Sequence, residues 1–425
     1  MKTNRLRRLL AATAAAACFC SLVNASPASA RANTAGEFIA LATPARILDT
    51  RTGLGATAAA PIGPRSFIDL QVTGRGGVPS SGVQAIVMNV TAVAPNDSGY
   101  LTVWPAGEAR PNVSNLNFVP GQTVPNLVTV KLSPSGRVSV YNHNGSTHAL
   151  ADVIGYYDDA TVSGGWFNPL TPARLLDTRD GNGAPAAPLG RGGSITVQVT
   201  GRGGVPDASL VSAVVLNVTA VEPTAAGFVT VWPGGAQPNV SNLNFTPGQI
   251  VPNLVIVGVS AAGTVNMFNE VGNTNLLADV VGWYDKVGAQ GYVFTAITPQ
   301  RAIDTRGGSP VGEDQGPFAS PLAILGITST NVRALVMNVT ATETTADGYF
   351  SIYPPTVGPP AYTPVPNTSN LNWRAGQTVP NAVISMVAGA GITGVTQGDV
   401  VVYNRFGQAH LVVDLVGYFV VPPAA

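Results

Sequence analysis

Leu48-Asp49-Thr50-Arg51 decides the fold of this chain, because the same stretch returns at 176–179 and, with Ile in place of Leu, at 303–306. The spacing is 128 residues (177 − 49) and then 127 residues (304 − 177). Each copy continues in the same order, through Asn-Val-Thr, Trp-Pro or Tyr-Pro, Ser-Asn-Leu-Asn, Val-Pro-Asn and Asp-x-x-Gly-aromatic-aromatic. A repeat of this length corresponds to a whole domain and not to a solenoid unit of roughly 20–50 residues. Three related domains are therefore predicted, at 36–158, 164–285 and 290–421.

Short β-branched runs predict strands throughout each copy. Residues 83–93 (VQAIVMNVTAV) and 212–221 (SAVVLNVTAV) are such runs, bounded by Gly, Pro, Asn and Asp. Turn clusters such as 95–99 (PNDSG) separate the runs. About eight strands in each copy predict an all-β fold made of three tandem antiparallel β-sandwich domains, of the jelly-roll or Ig-like type.

The first 30 residues have the pattern of a secretory signal peptide. A basic start precedes the uncharged apolar run 9–23, and Ala28-Ser29-Ala30 supplies the small-residue cleavage pattern. The run is too short to span a bilayer, and no later stretch approaches the length of a membrane helix. We therefore expect a secreted, extracellular protein without a transmembrane segment in the mature chain, with association with the cell wall as one setting.

Composition excludes several classes of function. Both cysteines, Cys18 and Cys20, lie in the leader, so the mature chain is expected to have no disulfide; lipidation of Cys18 stays open as an alternative. Removing the four basic residues of the leader leaves 18 basic (22 − 4) and 22 acidic residues, a net charge of −4, which predicts no nucleic-acid partner. His148 and His410 occupy equivalent places, but copy two has Asn275 there. No cofactor, metal or catalytic residue is predicted.

Four charged positions recur in every copy, and each set sums to zero. The acids border apolar strand sequence, where an unpaired charge would be strongly penalised. We expect a structural ion network that pins the first strand of each copy to the last, with a catalytic carboxylate pair as the alternative. The members are Arg46, Asp49, Arg51 and Asp152; Arg174, Asp177, Arg179 and Asp279; and Arg301, Asp304, Arg306 and Asp414.

A second recurring set is rich in amides. Strand alternation places the two asparagines of Ser-Asn-Leu-Asn on the face opposite to the leucine. Asparagine is disfavoured in strands, so its recurrence indicates either hydrogen bonds to crossing backbone or donors and acceptors presented to a sugar. The candidate ligand-binding residues are Asn115, Asn117, Asn242, Asn244, Asn370 and Asn372. A third asparagine, which follows a proline in each copy, is expected to satisfy a turn (Asn126, Asn253 and Asn381).

The string Thr-Pro-Ala-Arg-x-Leu-Asp-Thr-Arg, with Ser-Asn-Leu-Asn-Phe, Gly-Gln-x-Val-Pro-Asn-Leu-Val and Ala-Asp-Val-x-Gly after it, resembles a repeat of exported actinobacterial proteins. The resemblance covers nearly all of 36–421, and copy three is the looser match, with Gln300 and Val413 in place of alanines. In that group the repeat occurs in tandem arrays or is appended to extracellular hydrolases. The resemblance implies an extracellular setting and a non-catalytic accessory role, and it carries over no ligand residues.

These observations favour one function and leave two alternatives. We expect a secreted, non-catalytic protein whose three modules bind cell-wall or extracellular polysaccharide multivalently, through the polar asparagine face. One alternative is a structural or adhesion array that binds surface proteins or itself. The other is an extracellular hydrolase that uses the recurring aspartates.

Overall fold

The strands of the protein are built from the three sequence copies in turn. The computed structural model describes residues 35–160, 163–328, 330–357 and 364–423. The predicted signal peptide at 1–30, with Cys18, lies outside the described residues. No helix in the described ranges is long and apolar enough to cross a membrane.

Each copy contributes eight strands. Copy one contains β1 (Phe38–Asp49), β2 (Ser66–Gln71), β3 (Val83–Val93), β4 (Gly99–Pro105), β5 (Leu116–Phe118), β6 (Thr123–Lys131), β7 (Arg137–Asn142) and β8 (His148–Asp158). Copy two contains β9 (Phe167–Asp177), β10 (Ser194–Gln198), β11 (Val211–Val221), β12 (Gly227–Trp232), β13 (Leu243–Phe245), β14 (Ile250–Gly258), β15 (Thr264–Asn269) and β16 (Asn275–Asp285).

Copy three contains β17 (Val293–Asp304), β18 (Phe318–Ala319), β19 (Val332–Thr342), β20 (Gly348–Tyr353), β21 (Leu371–Trp373), β22 (Val379–Met386), β23 (Val400–Asn404) and β24 (His410–Val420). It also has a 3-10 turn, Thr305–Gly307, and one helical turn, α1 (Pro321–Ile324). Helix α1 lies where copies one and two have the loop Val-Thr-Gly-Arg-Gly-Gly-Val-Pro. The prediction of an all-β chain is confirmed.

Every copy forms two four-stranded antiparallel sheets with the same strand order. In copy one the inner sheet runs β1-β8-β3-β6 and the outer sheet runs β2-β7-β4-β5. Copies two and three repeat this order as β9-β16-β11-β14 with β10-β15-β12-β13, and as β17-β24-β19-β22 with β18-β23-β20-β21. Eight strands distributed in this way over two facing sheets have the order of a jelly roll.

A hydrophobic core lies between the two sheets of each copy. In copy one Ile86 and Met88 of the inner sheet are fully buried against Leu101 and Val103 of the outer sheet. Strand alternation accounts for this packing, because residues two apart point to the same side of a sheet. Copies two and three have equivalent cores.

A further core joins the three copies, and it corrects the prediction of tandem sandwiches. In β3, Ile86 and Met88 point into the core of copy one, whereas the alternating residues Ala85 and Val87 point to the opposite face of the inner sheet. They pack against the equivalent Ala213 and Val215 of copy two and the inner sheet of copy three. The inner sheets are therefore buried on both faces, which explains why 85–88 in β3, 213–216 in β11 and 334–337 in β19 are apolar at every position. The chain is not three sandwiches in a row; its six small sheets form one propeller-like arrangement, in which the three inner sheets enclose this common core.

The arrangement closes on itself through main-chain hydrogen bonds at the start of each copy. Phe38 N donates to Gly165 O at 2.8 Å, Phe167 N to Tyr292 O at 2.8 Å, and Phe294 N to Gly36 O at 3.0 Å. The phenylalanine at the start of the first strand of each copy also packs on the last aromatic ring of another copy. The ring centroids are 4.4 Å apart for Phe38 and Tyr284, 4.3 Å for Phe167 and Phe419, and 4.2 Å for Phe294 and Tyr157.

Candidate functional site

The structure brings the four recurring charged residues together in every copy. In copy one, Arg46 of β1 donates two hydrogen bonds to Asp152 of β8, at 2.8 and 3.0 Å. Arg51 donates two more to Asp49, at 2.9 and 2.7 Å, and the Arg46 guanidinium lies 3.6 Å from the same Asp49 carboxylate. Copies two and three have the same pairs. Each network joins the first strand of a copy to its last strand.

The two carboxylates of a network differ in their electrostatics. The hydrogen bonds from Arg51 lower the pKa of Asp49, and those from Arg179 lower the pKa of Asp177 to about 2. Burial raises the pKa of Asp152, which is only 2% exposed, although Arg46 offsets part of this effect. Both oxygens of each carboxylate accept hydrogen bonds from an arginine, so this geometry favours the structural interpretation of the network over the hydrolase alternative.

Six buried asparagines form a second polar network, which lies between the copies. Asn89 Nδ2 donates to Ser241 O of copy two at 2.7 Å, and Asn253 Nδ2 of copy two donates back to Asn89 Oδ1 at 3.0 Å. Asn253 Oδ1 also accepts from Leu127 N at 3.2 Å. The same contacts join copy two to copy three and copy three to copy one. We call this set the interface amides: Asn89, Asn217, Asn338, Asn126, Asn253 and Asn381.

The interface amides correct one prediction and reveal a role that the sequence did not show. Asn126, Asn253 and Asn381 lie inside strands and join copies, whereas we expected them to satisfy turns. Proline before each asparagine suggested a turn, but Pro125 is itself part of β6. Asn89 and its counterparts belong to the recurring Asn-Val-Thr motif. Their recurrence in an otherwise apolar strand was the available signal, because an asparagine there needs a partner across the buried face.

The two asparagines of Ser-Asn-Leu-Asn have different environments. Asn115 is buried; its Oδ1 accepts from Val103 N at 2.6 Å, and its main-chain oxygen accepts from Asn126. Asn242 and Asn370 make the equivalent bonds to Val231 N and Ile352 N. Asn117, Asn244 and Asn372 are half-buried and line a cavity. The structure thus places three of the six candidate residues at a surface that a ligand could reach.

This cavity has a volume of about 1140 Å³ and is lined by the same segments of all three copies. Each copy supplies the start of its fourth strand, its Ser-Asn-Leu-Asn segment and its Gly-Gln-x-Val-Pro segment. We call it the central cavity. Its lining contains two sets of aromatic residues at equivalent positions, the partly exposed Tyr100, Phe228 and Tyr349 and the buried Phe118, Phe245 and Trp373; its glutamines are Gln122, Gln249 and Gln377.

The glutamines of the central cavity are held in one orientation. Gln122 Oε1 accepts from Val119 N at 3.0 Å, Gln249 Oε1 from Thr246 N at 2.8 Å, and Gln377 Oε1 from Arg374 N at 2.9 Å. A main-chain N–H can only donate, so each bond fixes which atom is the amide oxygen. The Nε2 donors of these glutamines make no hydrogen bond to any other described residue. A set of fixed donors is therefore available to the cavity.

The asparagines add to this set in the same way. A serine hydroxyl donates to each Oδ1: Ser114 to Asn117 at 3.2 Å, Ser241 to Asn244 at 3.0 Å, and Ser369 to Asn372 at 2.9 Å. The Nδ2 groups remain as donors. The charged residues in the lining are Glu222, Glu270, Asp347 and Arg374, so the net charge around the cavity is −2 (1 − 3). Sequence reasoning missed the glutamines and the aromatic residues here, although the Gly-Gln-x-Val-Pro signal was visible in all copies.

Metal-binding geometry is missing from the described ranges: no group of three or more His, Cys, Asp or Glu side chains there could hold an ion.

Comparisons with known proteins identify no relative of this chain. No protein-family model matches it, and no curated protein matches it in sequence. Among solved structures, a triple jelly-roll protein from the turret of an archaeal virus is 7% identical over 91% of this chain and 90% of its own, with a TM-score of 0.16. A tandem CBM22 domain of Xyn10C from Paenibacillus barcinonensis is 11% identical over 59% of this chain and 99% of its own, with a TM-score of 0.17. At such TM-scores neither likeness indicates a shared fold or ligand.

Proposed function

We propose that this protein is a secreted, non-catalytic carbohydrate-binding protein whose glycan site is the central cavity. The observation that carries the proposal is the set of amide donors, one glutamine and one asparagine from each copy, whose oxygens are already bound to the protein. Such donors need acceptor oxygens, and the hydroxyl and ring oxygens of a sugar supply them at high density. Tyr100, Phe228 and Tyr349 add flat apolar surfaces, on which the C–H faces of a sugar ring can pack.

The geometry changes the number of glycan sites that the three copies would form. The sequence suggested three separate sites that bind multivalently. Asn117, Asn244 and Asn372 instead line one cavity, so the proposal is a single composite site to which every copy contributes. Its net charge of −2 disfavours acidic glycans, and we therefore propose a neutral glycan of the cell wall or the extracellular matrix as the ligand.

Gln249→Glu tests the proposal with little disturbance of the turn. The glutamate keeps an oxygen that accepts from Thr246 N, but it replaces the Nε2 donor with an acceptor. Gln290→Glu is the matched control, because it adds the same charge at an exposed position away from the cavity. Binding would be measured by calorimetric titration with short neutral oligosaccharides of glucose, galactose and N-acetylglucosamine.

We expect at least one oligosaccharide to bind, and Gln249→Glu to weaken its binding about tenfold, since one hydrogen bond is lost and a repulsive contact is created. Gln290→Glu should bind as the unaltered protein does. Equal binding by all three proteins would contradict the assignment of the central cavity. If no sugar binds and light scattering shows concentration-dependent assembly, the adhesion alternative replaces the proposal.

A further inference from the structure

Copy one carries a cleft that is separate from the central cavity. It has a volume of about 760 Å³ and lies between the loop 53–57 and strand β2, which is the free edge of an outer sheet. Its lining contains two arginines, Arg75 and Arg137, one acid, Asp69, and the aromatic ring of Phe67. The residues that line this cleft in copy one are in part different from the equivalent residues of copy two.

A single substitution between the copies removes the side-chain acceptor that this arginine has in copy two. In copy two the equivalent Arg202 donates to Asn182 Oδ1 at 2.9 Å and to Gln198 O at 3.3 Å, and its guanidinium lies close to Gly183. Copy one has Leu54 in place of Asn182. Arg75 is half-buried and makes no side-chain hydrogen bond or ion pair with another described residue. Arg75 lines the cleft, and the five N–H donors of its guanidinium have no acceptor on another described residue.

Strand register places the other polar groups beside it. Phe67, Asp69 and Gln71 alternate along β2 and point to the same outer face of the sheet. Arg137 is opposite Gln71 in the pairing of β2 with β7, and its Nε donates to Gln71 Oε1 at 2.9 Å. Asp69 Oδ1 accepts from the hydroxyl of Ser139, opposite it, at 2.5 Å, which orients the carboxylate.

We propose that this cleft binds an acidic sugar, a hexuronate within an extracellular polysaccharide. The two arginines outnumber the one aspartate, so the cleft has a charge of +1 (2 − 1) and favours a carboxylate. Guanidinium groups pair with carboxylates through two parallel hydrogen bonds. The other oxygen of Asp69 accepts from sugar hydroxyls, and the Phe67 ring, which is 57% exposed, packs on the C–H face of the sugar. This site does not depend on the central cavity, whose charge has the opposite sign.

Leu54→Asn is the sharpest test. It gives copy one the asparagine that copy two has at this position, and Leu54 is 40% exposed to solvent. The introduced amide oxygen is the equivalent of Asn182 Oδ1, which accepts from Arg202 in copy two. Arg75 would remain present but would donate to the oxygen of the introduced amide instead of facing the cleft. Arg75→Ala removes the guanidinium directly, and Arg202→Ala in copy two is the matched control. Binding would be measured by calorimetric titration of the whole protein with galacturonate and glucuronate oligomers and with the neutral galactose oligomer.

In the Gln249→Glu background, which weakens the neutral-glycan site, we expect one uronate oligomer to bind more tightly than the neutral oligomer. Leu54→Asn and Arg75→Ala should each weaken that binding about tenfold or more, and Arg202→Ala should leave it unchanged. Thermal melting of Leu54→Asn close to that of the unaltered protein would show that its fold is intact. The proposal is overturned if neither uronate binds, if Arg202→Ala weakens binding as much as Arg75→Ala, or if Leu54→Asn binds normally. Loss of the neutral-glycan site by Gln249→Glu would leave these results unaffected.

Discussion

The phenolic oxygens of Tyr157 and Tyr284 lie 2.6 Å apart inside the common core, where copy one meets copy two. Both side chains are fully buried, and burial raises the pKa of each phenol well above its ordinary value of 10. Both groups therefore stay protonated, and one hydroxyl donates to the other. Copy three has Phe419 at the equivalent position. Of the three equivalent rings, two carry a hydroxyl, and these two hydroxyls form a hydrogen bond with each other.

This pair predicts a non-additive pattern of stability. Tyr157→Phe alone leaves the Tyr284 hydroxyl buried without its partner, and we expect a loss of about 1–3 kcal/mol in the free energy of unfolding. Tyr157→Phe combined with Tyr284→Phe should be close to the unaltered protein, because no hydroxyl is left unpaired. Urea unfolding of the two single variants and the double variant measures this. Losses that simply add would show that the two hydroxyls do not depend on each other.

The interface amides predict a large effect from a single amide. Asn253→Ala removes the partner of Leu127 N and of Asn89 Oδ1, and both groups remain buried in another copy. We expect a loss of about 3 kcal/mol or more in the free energy of unfolding. Asn144→Ala is the control, because Asn144 is exposed and bonds only within copy one. Similar urea midpoints for the two variants would argue against a role of Asn253 between the copies.

The ion network predicts a dependence of stability on pH. The pKa of Asp177 is about 2 in the folded protein, below its ordinary value of 3.8. A lowered pKa contributes stability above the ordinary value, and this contribution is lost as the pH falls from about 4 to about 2. Asp177→Asn lacks the contribution, so its stability deficit should be largest near neutral pH and should shrink across that window.

Urea midpoints of the unaltered protein and of Asp177→Asn, measured from pH 7 down to pH 2, test this dependence. Lys131→Met, which breaks the partly exposed Lys131–Glu108 pair, serves as the control and should change stability by at most about 1 kcal/mol. A deficit of Asp177→Asn that stays constant down to pH 2 would contradict the assigned sign.

Copy two on its own should not behave as a folded monomer. Cutting the chain to 163–288 exposes Ala213, Val215, Leu254 and Ile256, which the other two copies cover in the intact protein. An exposed apolar sheet face of this kind promotes association. We expect the fragment to assemble or aggregate, as seen by light scattering. A soluble monomer with the circular dichroism of a complete β-sandwich would contradict this expectation.

The local structure could be predicted from the sequence, because strand signals are local. The β-branched run 83–93 predicts a strand, and β3 has these bounds. The residues of the charged sets do meet in pairs, since Arg46 and Asp152 are opposite each other in the β1–β8 register. Opposite charges in strand sequence need such partners, so this juxtaposition was accessible to reasoning about burial alone.

The assembly of the copies could not be predicted, because it depends on faces whose partners lie far away in sequence. An apolar run such as that of β3 has the same appearance whether its second face packs on a neighbouring copy or on a loop. Asn117 and Gln122 belong to separate motifs, and only the closed arrangement brings them into one cavity with the equivalent residues of the other copies. The asparagine pair of Ser-Asn-Leu-Asn illustrates the same limit, since alternation grouped Asn115 with Asn117, yet Asn115 precedes β5 and turns into its own copy.

Differential scanning calorimetry tests most directly whether the three copies form one body around a shared core. The account predicts a single melting transition with a calorimetric enthalpy equal to the van't Hoff enthalpy, because no copy can unfold without exposing the core of the others. The destabilised variant Asn253→Ala should shift that whole transition to lower temperature. Separate transitions, with only the one from copy two moved by Asn253→Ala, would contradict the account.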